Sequence, residues 1–427
     1  MISIANMIVT KMSWWLGLVD FVYSISAHDT TNPWTGYINS PSSRLVQPLG
    51  IKAISGDAIV RTSSSGVYTL NMKAGSQITL DFSYVAGLLS METSTSEAAP
   101  GSDLIPHFTL AFAESPAFIR AISDDTGAVP SQDYDKALNV TLDTGSQTYF
   151  MPSEKFRGGF RFVTITAFRS VTISNVVCEL GYSPSQEDPR DWEGHFWTED
   201  DDLLVRVWYA GVFTAQTNIA PPYTSRWLPQ VEDGWAYNAT LGVEGPMLLD
   251  GAKRDRAVWS GDLGIAGTTA FIGLGSIGLE SVYYALETMF YYQNETDGML
   301  PYSGPTTNSW LHGSKSDVYH AWVLVACFNY AIFTGNEAWV DLHWQNLTRG
   351  VEYIVSRLDN DVGLAEQVYT NDWARYGGGG YNSAFNALNY HVLFSFASLA
   401  ADTSTERYAK TPTKKHGPPF ITVSTYH

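Results

Sequence analysis

The feature that most constrains this chain is a change of hydrophobic period near residue 186. From about 30 to 185, apolar and polar residues alternate with period two, as in Gly66–Met72, Gln77–Ser83, His107–Phe112, Ala137–Leu142 and Phe160–Ile165. Residues two apart on a strand share a face, so each segment predicts a strand with one buried side. With connections rich in Gly, Ser, Pro and Asp, residues 29–185 are expected to form a β-sandwich. Pro184-Ser-Gln-Glu-Asp-Pro189 is expected to be a linker, and beyond it the period becomes helical. Glu199-Asp-Asp-Asp202 precedes the stripe Leu203, Leu204, Val207, Trp208 and Gly211, an acidic first turn that suits the helix dipole. Further helices are predicted near 265–275, 279–293, 316–335, 337–357 and 382–401, so residues 190–403 form an array of helical hairpins. At roughly 150 residues per domain, a chain of this length holds two or three domains; the class is multidomain β + α.

The two ends depart from both patterns. Within residues 1–28, Lys11 and the apolar run Met12–Ala27 read as a signal peptide if translation starts at Met12, although Asp20 interrupts the run. Met1 and Met12 are alternative starts. Residues 404–427 include the basic, proline-rich stretch Glu406–Pro419 and read as a disordered or aberrant tail. No other stretch is long and apolar enough to span a membrane.

Charge narrows the partners. Lys plus Arg number 25 and Asp plus Glu 43, a net charge of −18. Nucleic acids and anionic membranes need a basic surface, so neither is expected as a partner. The 14 Trp residues admit two explanations, core packing or platforms on which sugar rings stack. Cys178 and Cys327 fall in different predicted domains and are expected as separate buried thiols. Neither they nor His195, His312 and His391 have the spacing of a metal site. Sequons at Asn139, Asn238, Asn294 and Asn346 together predict a secreted glycoprotein.

Chemistry concentrates in Asp250-Gly-Ala-Lys-Arg-Asp-Arg-Ala-Val-Trp-Ser-Gly-Asp262, which gathers three carboxylates, two arginines and Trp259. Glycoside hydrolysis typically uses two carboxyl groups, one protonating the leaving oxygen and one serving as nucleophile or activating water. Asp255 and Asp262 would share a face of a continuous helix, whereas Gly251 and Gly261 favour loops that converge on a pocket. A surface salt-bridge cluster at a helix start would have the same composition. A second cluster, Tyr369–Gly380, pairs Asp372 with Trp373 and adds four consecutive glycines that allow close backbone approach; an interhelical loop is the alternative. In Ser316-Asp-Val-Tyr-His-Ala-Trp322, Ser316 predicts an N-cap followed by a core-facing aromatic stripe. Gly273-Leu-Gly-Ser-Ile-Gly278 matches a dinucleotide-binding glycine pattern but stands between two helices rather than after a strand, so a tight interhelical turn is expected.

The thirteen-residue motif resembles that of the fungal branch of the α-L-rhamnosidases, family 78 glycoside hydrolases. Gly158–Ile165, Arg206–Ala210, Leu300–Gly304, Ser316–His320 and Asn371–Arg375 support the resemblance by order and spacing. It covers about 150–400. It implies an α/α toroid of the six-hairpin glycosidase type behind the β-sandwich, and inverting hydrolysis of terminal α-L-rhamnose from glycosides or polysaccharides without a cofactor. It implies Asp255 as general acid, Asp250, Arg254 and Asp262 as groups that hold sugar hydroxyls, and Trp259, Asp372 and Trp373 as pocket walls. The family's general base lies in the last helices of the toroid. No residue here is a candidate for it, and about six helices are predicted where the family uses about twelve. An incomplete toroid is therefore expected, and a glycan-binding remnant without turnover, or a six-hairpin enzyme for another sugar, are the alternatives.

Overall fold

A computed structural model of the chain describes residues 32–98, 105–124, 135–225, 235, 237–253, 256–304, 315–372 and 378–402. The predicted signal segment, the basic tail and His312 lie outside them. The N-terminal half contains β1 (Leu45–Val46), β2 (Gly50–Ser55), β3 (Ala58–Thr62), β4 (Tyr68–Met72) and β5 (Gln77–Thr95). It continues with β6 (Phe108–Ala113), β7 (Leu138–Val140), β8 (Gly145–Phe150), β9 (Gly159–Ala167) and β10 (Val171–Leu180). These ten strands hydrogen-bond antiparallel, with β5 at their centre.

β5 changes partners along its length. Its first part pairs with β2 and β9, its last part with β8 and β10. The register shifts between Asp81 and Val85, where Ser83 takes φ 62° and its amide donates to Asp81 Oδ1 at 2.9 Å. A bulge bends a strand and increases its twist, so one long strand can serve both halves of the sheet. Side chains from both halves, among them Leu70, Ile78, Phe82, Leu89, Phe108, Phe160, Ile165 and Ile173, share a single core.

Period-two alternation predicts β4, β6, β7 and β9 but not the continuation of β5, where Gly87 breaks the pattern. A Cβ on Gly87 would stand 2.0 Å from the Glu179 carbonyl oxygen of β10, so only glycine fits there. β6 differs from its prediction as well: every residue is buried rather than alternate ones. Thr109, Ala111 and Ala113, opposite the core-facing Phe108, Leu110 and Phe112, are buried as well.

The helices are α1 (Asp202–Thr217), α2 (Ser260–Leu274), α3 (Ser276–Tyr291), α4 (Asp317–Thr334), α5 (Glu337–Ser356) and α6 (Ser383–Asp402). All six stand where helical periodicity predicts them. Alternate helices α2, α4 and α6 pack on one another in succession, while α3 and α5 lie against this series. α4, at its middle, is buried along most of its length, which its near-continuous apolar sequence requires. Short pairs link the intervening loops: β11 (Ile219–Ala220) with β12 (Met247–Leu248), and β13 (Val258–Trp259) with β14 (Ser303–Gly304).

The face that α1 buries differs from the predicted stripe. Leu203, Leu204 and Val207 are exposed, while Val205, Tyr209 and Val212 enter the core. The sequence carries apolar residues on both faces, and the stacking of Tyr209 on Trp192 and Tyr37 selects the second. The segment expected as a linker is pinned rather than loose. Arg44 donates to the carbonyls of Leu180, Tyr182, Ser183 and Gln186, and Gln216 Nε2 donates to Gln186 Oε1 and Pro189 O, both at 2.7 Å. The two halves also exchange segments: Ile38 belongs to the helical core, and Trp235 and Tyr237 to the strand core.

Gly275 forms the turn between α2 and α3 with φ 59°, as the interhelical reading of the glycine pattern expects. Cys178 and Cys327 are free and buried, and burial pushes both thiols up. Among the described residues no helix is long and apolar enough to cross a membrane, and no group of three or more His, Cys, Asp or Glu could hold a metal ion.

Candidate functional site

The Asp250–Asp262 motif forms a loop between β12 and β13 and then the first turn of α2. The loop closes on itself: Asp250 Oδ1 accepts from the Ala257 amide at 3.0 Å, and the Asp250 amide donates back to Ala257 O at 3.3 Å. Asp262, half-buried, sits in the first turn of α2, where a carboxylate is favoured by the helix dipole. Arg254, Asp255 and Trp373 lie outside the described residues, but the residues bracketing Arg254 and Asp255 are placed on both sides.

Those brackets are fixed to the strand half. The Gly159 amide donates to Ala252 O at 2.8 Å. Lys253 Nζ lies 2.9 Å from Glu114 Oε2 and 3.4 Å from Asp124 Oδ2. On the far side, Arg256 takes φ 50°, donates from Nη1 to Phe156 O at 2.6 Å, and stacks its guanidinium over the Phe156 ring at 4.5 Å. Burial lowers Arg256 to about 10, against the opposing pull of Tyr237 and Asp250. Arg256 is thus a buried tie between the two halves, a role its place in the motif did not reveal.

Behind this loop stands a buried polar network. Arg157, wholly enclosed, pairs with Asp124 at 2.8 Å and Asp135 at 3.2 Å, and Asp135 also accepts from the Tyr237 hydroxyl. Burial by itself would raise the Asp124 carboxyl, but Arg157 and Lys253 hold it below the usual carboxylate value. Tyr84 donates to Glu114 at 2.8 Å, and burial together with Glu114 raises its phenol well above its ordinary value. A buried charge is tolerable when it is paired and hydrogen-bonded, as here. Sequence reading missed this network because its members are scattered along the chain from Tyr84 to Lys253.

The indole of Trp259 forms an aromatic cluster with Tyr302 and Tyr319. Its ring meets Tyr302 edge-on at 4.9 Å and Tyr319 at 6.3 Å, and the two tyrosines lie 4.6 Å apart. Trp259 is 8% exposed. Its Nε1 is buried and has no hydrogen-bond partner among the described residues. Gly261 makes the closure possible, since a Cβ there would lie 2.7 Å from the Tyr319 ring. Three stretches singled out separately in the sequence, Asp250–Asp262, Leu300–Gly304 and Ser316–His320, therefore meet at one place.

The Asp372 loop is held by the start of α4. Ser316 caps the helix, its Oγ accepting from the Tyr319 amide at 3.1 Å, as expected, and it also donates to Asn371 O. Asp317 Oδ2 accepts from the Val368 and Tyr369 amides at 2.7 and 2.8 Å. Asp372, half-buried, follows directly. Gly379 and Gly380 have positive φ, and Gly380 exchanges two backbone hydrogen bonds with Gln367, so these glycines close the loop on itself. His320 is structural: Nδ1 accepts from the Leu300 amide at 2.9 Å, so Nε2 carries the hydrogen donated to Gly350 O at 2.9 Å.

No protein-family model matches the chain, and no curated protein matches it in sequence. Solved structures do resemble it. A rhamnosidase from Klebsiella oxytoca with rhamnose bound is 16% identical with a TM-score of 0.61, over 90% of this chain and 71% of that one. A family 78 rhamnosidase of Bacillus sp. GL1 is 18% identical with a TM-score of 0.54, over 81% of this chain and 31% of that one. An α-L-rhamnosidase from Dictyoglumus thermophilum is 13% identical with a TM-score of 0.50, over 87% of this chain and 35% of that one. The chain thus spans about a third of the length of the latter two. At such identities the likeness is one of architecture, and the chain shares the fold of family 78 α-L-rhamnosidases over most of its length.

Proposed function

We propose that this chain is a glycoside hydrolase acting on terminal α-L-rhamnose, with its site where the Asp250–Asp262 loop, the Trp259–Tyr302–Tyr319 cluster and the Asp372 loop come together. The convergence of these separate stretches around one aromatic cluster carries the reading. The alternating packing of α2, α4 and α6 supports an arc of an α/α toroid. In this reading Asp255 donates a proton to the leaving oxygen as the glycosidic bond breaks. A water attacks the opposite face of the sugar carbon, loses its proton to a general base, and leaves the anomeric configuration inverted. Asp250, Arg254 and Asp262 hold sugar hydroxyls, while Trp259, Asp372 and Trp373 wall the pocket. The base is unassigned.

Acidic composition and four sequons support secretion as a glycoprotein. Of the sequons, Asn139, Asn238 and Asn294 are exposed, whereas Asn346 is half-buried and donates its side-chain amide to Gln293 at 2.8 Å.

The experiment is incubation of the purified chain with aryl α-L-rhamnoside and a panel of other aryl glycosides, following the first-formed anomer by NMR. Release of the β anomer from the rhamnoside alone supports the proposal. Rhamnose binding without release would favour a glycan-binding protein, and release of a different sugar would reassign the specificity.

A further inference from the structure

We infer that Lys253 is a positioning residue: it straps the Asp250–Ala257 loop to the strand half, so that the β domain forms part of the site's scaffold rather than a detachable accessory. Naming Arg254 and Asp255 as the residues so positioned rests on the proposed function, whereas the strap itself does not.

Four observations carry the inference. Lys253 immediately precedes Arg254 and Asp255, and its ammonium lies 2.9 Å from Glu114 and 3.4 Å from Asp124, with only 13% of its side chain exposed. Its partners are themselves fixed. Asp124 Oδ2 accepts the Glu114 amide at 2.8 Å, Asp124 Oδ1 is held by Arg157 at 2.8 Å, and Glu114 accepts from Tyr84. The loop backbone next to Lys253 is seated on a matching surface. Gly158 has φ 98°, and a Cβ there would lie 2.0 Å from Ala252 O, so the two backbones meet with no room for a side chain. On the other flank Arg256 is anchored to Phe156, and its carbonyl accepts from Ser225 at 2.6 Å. These anchors on residues 252, 253 and 256 all end outside the helices, most of them in the strand half.

The physical consequence follows from what a loop needs in order to place a reacting group. A short loop between two-residue strands has little order of its own, and fixing each residue costs conformational entropy. A partly buried, doubly paired ammonium supplies a charge-assisted contact stronger than a surface ion pair, whose median contribution is small. Its two partners sit in a rigid network, so the strap transmits the position of the sheet to the loop.

The test is amide hydrogen exchange on wild type, Lys253→Met, Lys253→Arg and Glu114→Gln, with thermal melting as a control. Lys253→Met should speed exchange of the peptide spanning 248–259 about tenfold while peptides of β9 and α4 keep their rates. Lys253→Arg should restore protection, and Glu114→Gln should loosen the same peptide. Wild-type exchange in both Lys253→Met and Glu114→Gln would overturn the strap, as would uniform loosening of the whole β domain. In a protein that releases rhamnose, Lys253→Met should lower kcat as Asp255 is loosened and raise KM as Arg254 is; unchanged kcat would contradict positioning. If wild type releases no rhamnose, the functional proposal fails while the exchange result still decides the strap.

Discussion

Asp317 at the start of α4 accepts a 2.5 Å hydrogen bond from the Tyr353 hydroxyl of α5, and through its other oxygen holds the two amides that begin the Asp372 loop. Arg357 completes the arrangement by donating to the same tyrosine hydroxyl at 2.8 Å. Asp317 is wholly buried, and burial together with its carboxylate drives the Tyr353 phenol far above its ordinary value. Two helices and one site loop are thus referred to a single carboxylate. Asp317→Ala leaves a hydroxyl and two amides unpaired and should cost about 3–5 kcal/mol. Tyr353→Phe removes the bond to Asp317 and the one from Arg357, whose partly exposed guanidinium can turn to water, and should cost about 1–2 kcal/mol. Urea denaturation of both variants checks the order; equal costs would contradict it.

His320 makes stability depend on pH. Burial lowers its imidazole to about 4 from an ordinary 6.5. Above pH 6.5 the group is neutral folded and unfolded and contributes nothing. As pH falls from 6.5 to 4, the unfolded chain takes up a proton that the folded chain refuses, so stability declines, and below 4 this loss levels off. The full loss corresponds to about 3 kcal/mol, taking 1.36 kcal/mol per pKa unit. Urea midpoints should fall between pH 7 and pH 5 in wild type and fall less in His320→Asn. Parallel slopes for the two proteins would remove His320 from the account.

Gly158 tests the seating of the motif loop. Gly158→Ala adds a Cβ 2.0 Å from Ala252 O at φ 98°, so backbone strain and a clash combine, and the variant should lose about 2–4 kcal/mol. Gly66, at φ 84° with open space around it, is the control, and Gly66→Ala should lose about 1 kcal/mol. Thermal melting of the pair separates strain from clash.

Trp259 should act on stability as well as on any ligand. With Tyr302 and Tyr319 packed against its edges, Trp259→Ala should cost about 3–5 kcal/mol. Trp259→Phe keeps part of the packing and should cost less than half as much. Chemical denaturation measures both.

Much of the fold is legible in the sequence because periodicity is a local property. All six helices stand where their 3.6-residue pattern predicts, and Ser316 caps α4 as its residue type implies. What fails depends on contacts between distant segments. α1 carries apolar residues on two faces, and only Trp192 and Tyr37 decide which is buried. The partner change within β5 turns on a bulge at Ser83 that no alternation reveals. The motif itself stands out by composition, yet the division of labour within it does not. Arg256 stands out only as one of two arginines and proves to be a buried tie to Phe156, while Lys253 attracts no notice and turns toward Glu114 and Asp124.

The most direct test of the central claim is a comparison of wild type with Asp255→Asn on an aryl α-L-rhamnoside, with rhamnose binding measured by calorimetry on both. General acid catalysis typically contributes about 10²–10⁴-fold, so the variant should lose at least about a hundredfold in kcat while still binding rhamnose. Wild-type turnover by Asp255→Asn would contradict Asp255 as the proton donor and with it the assignment of the site.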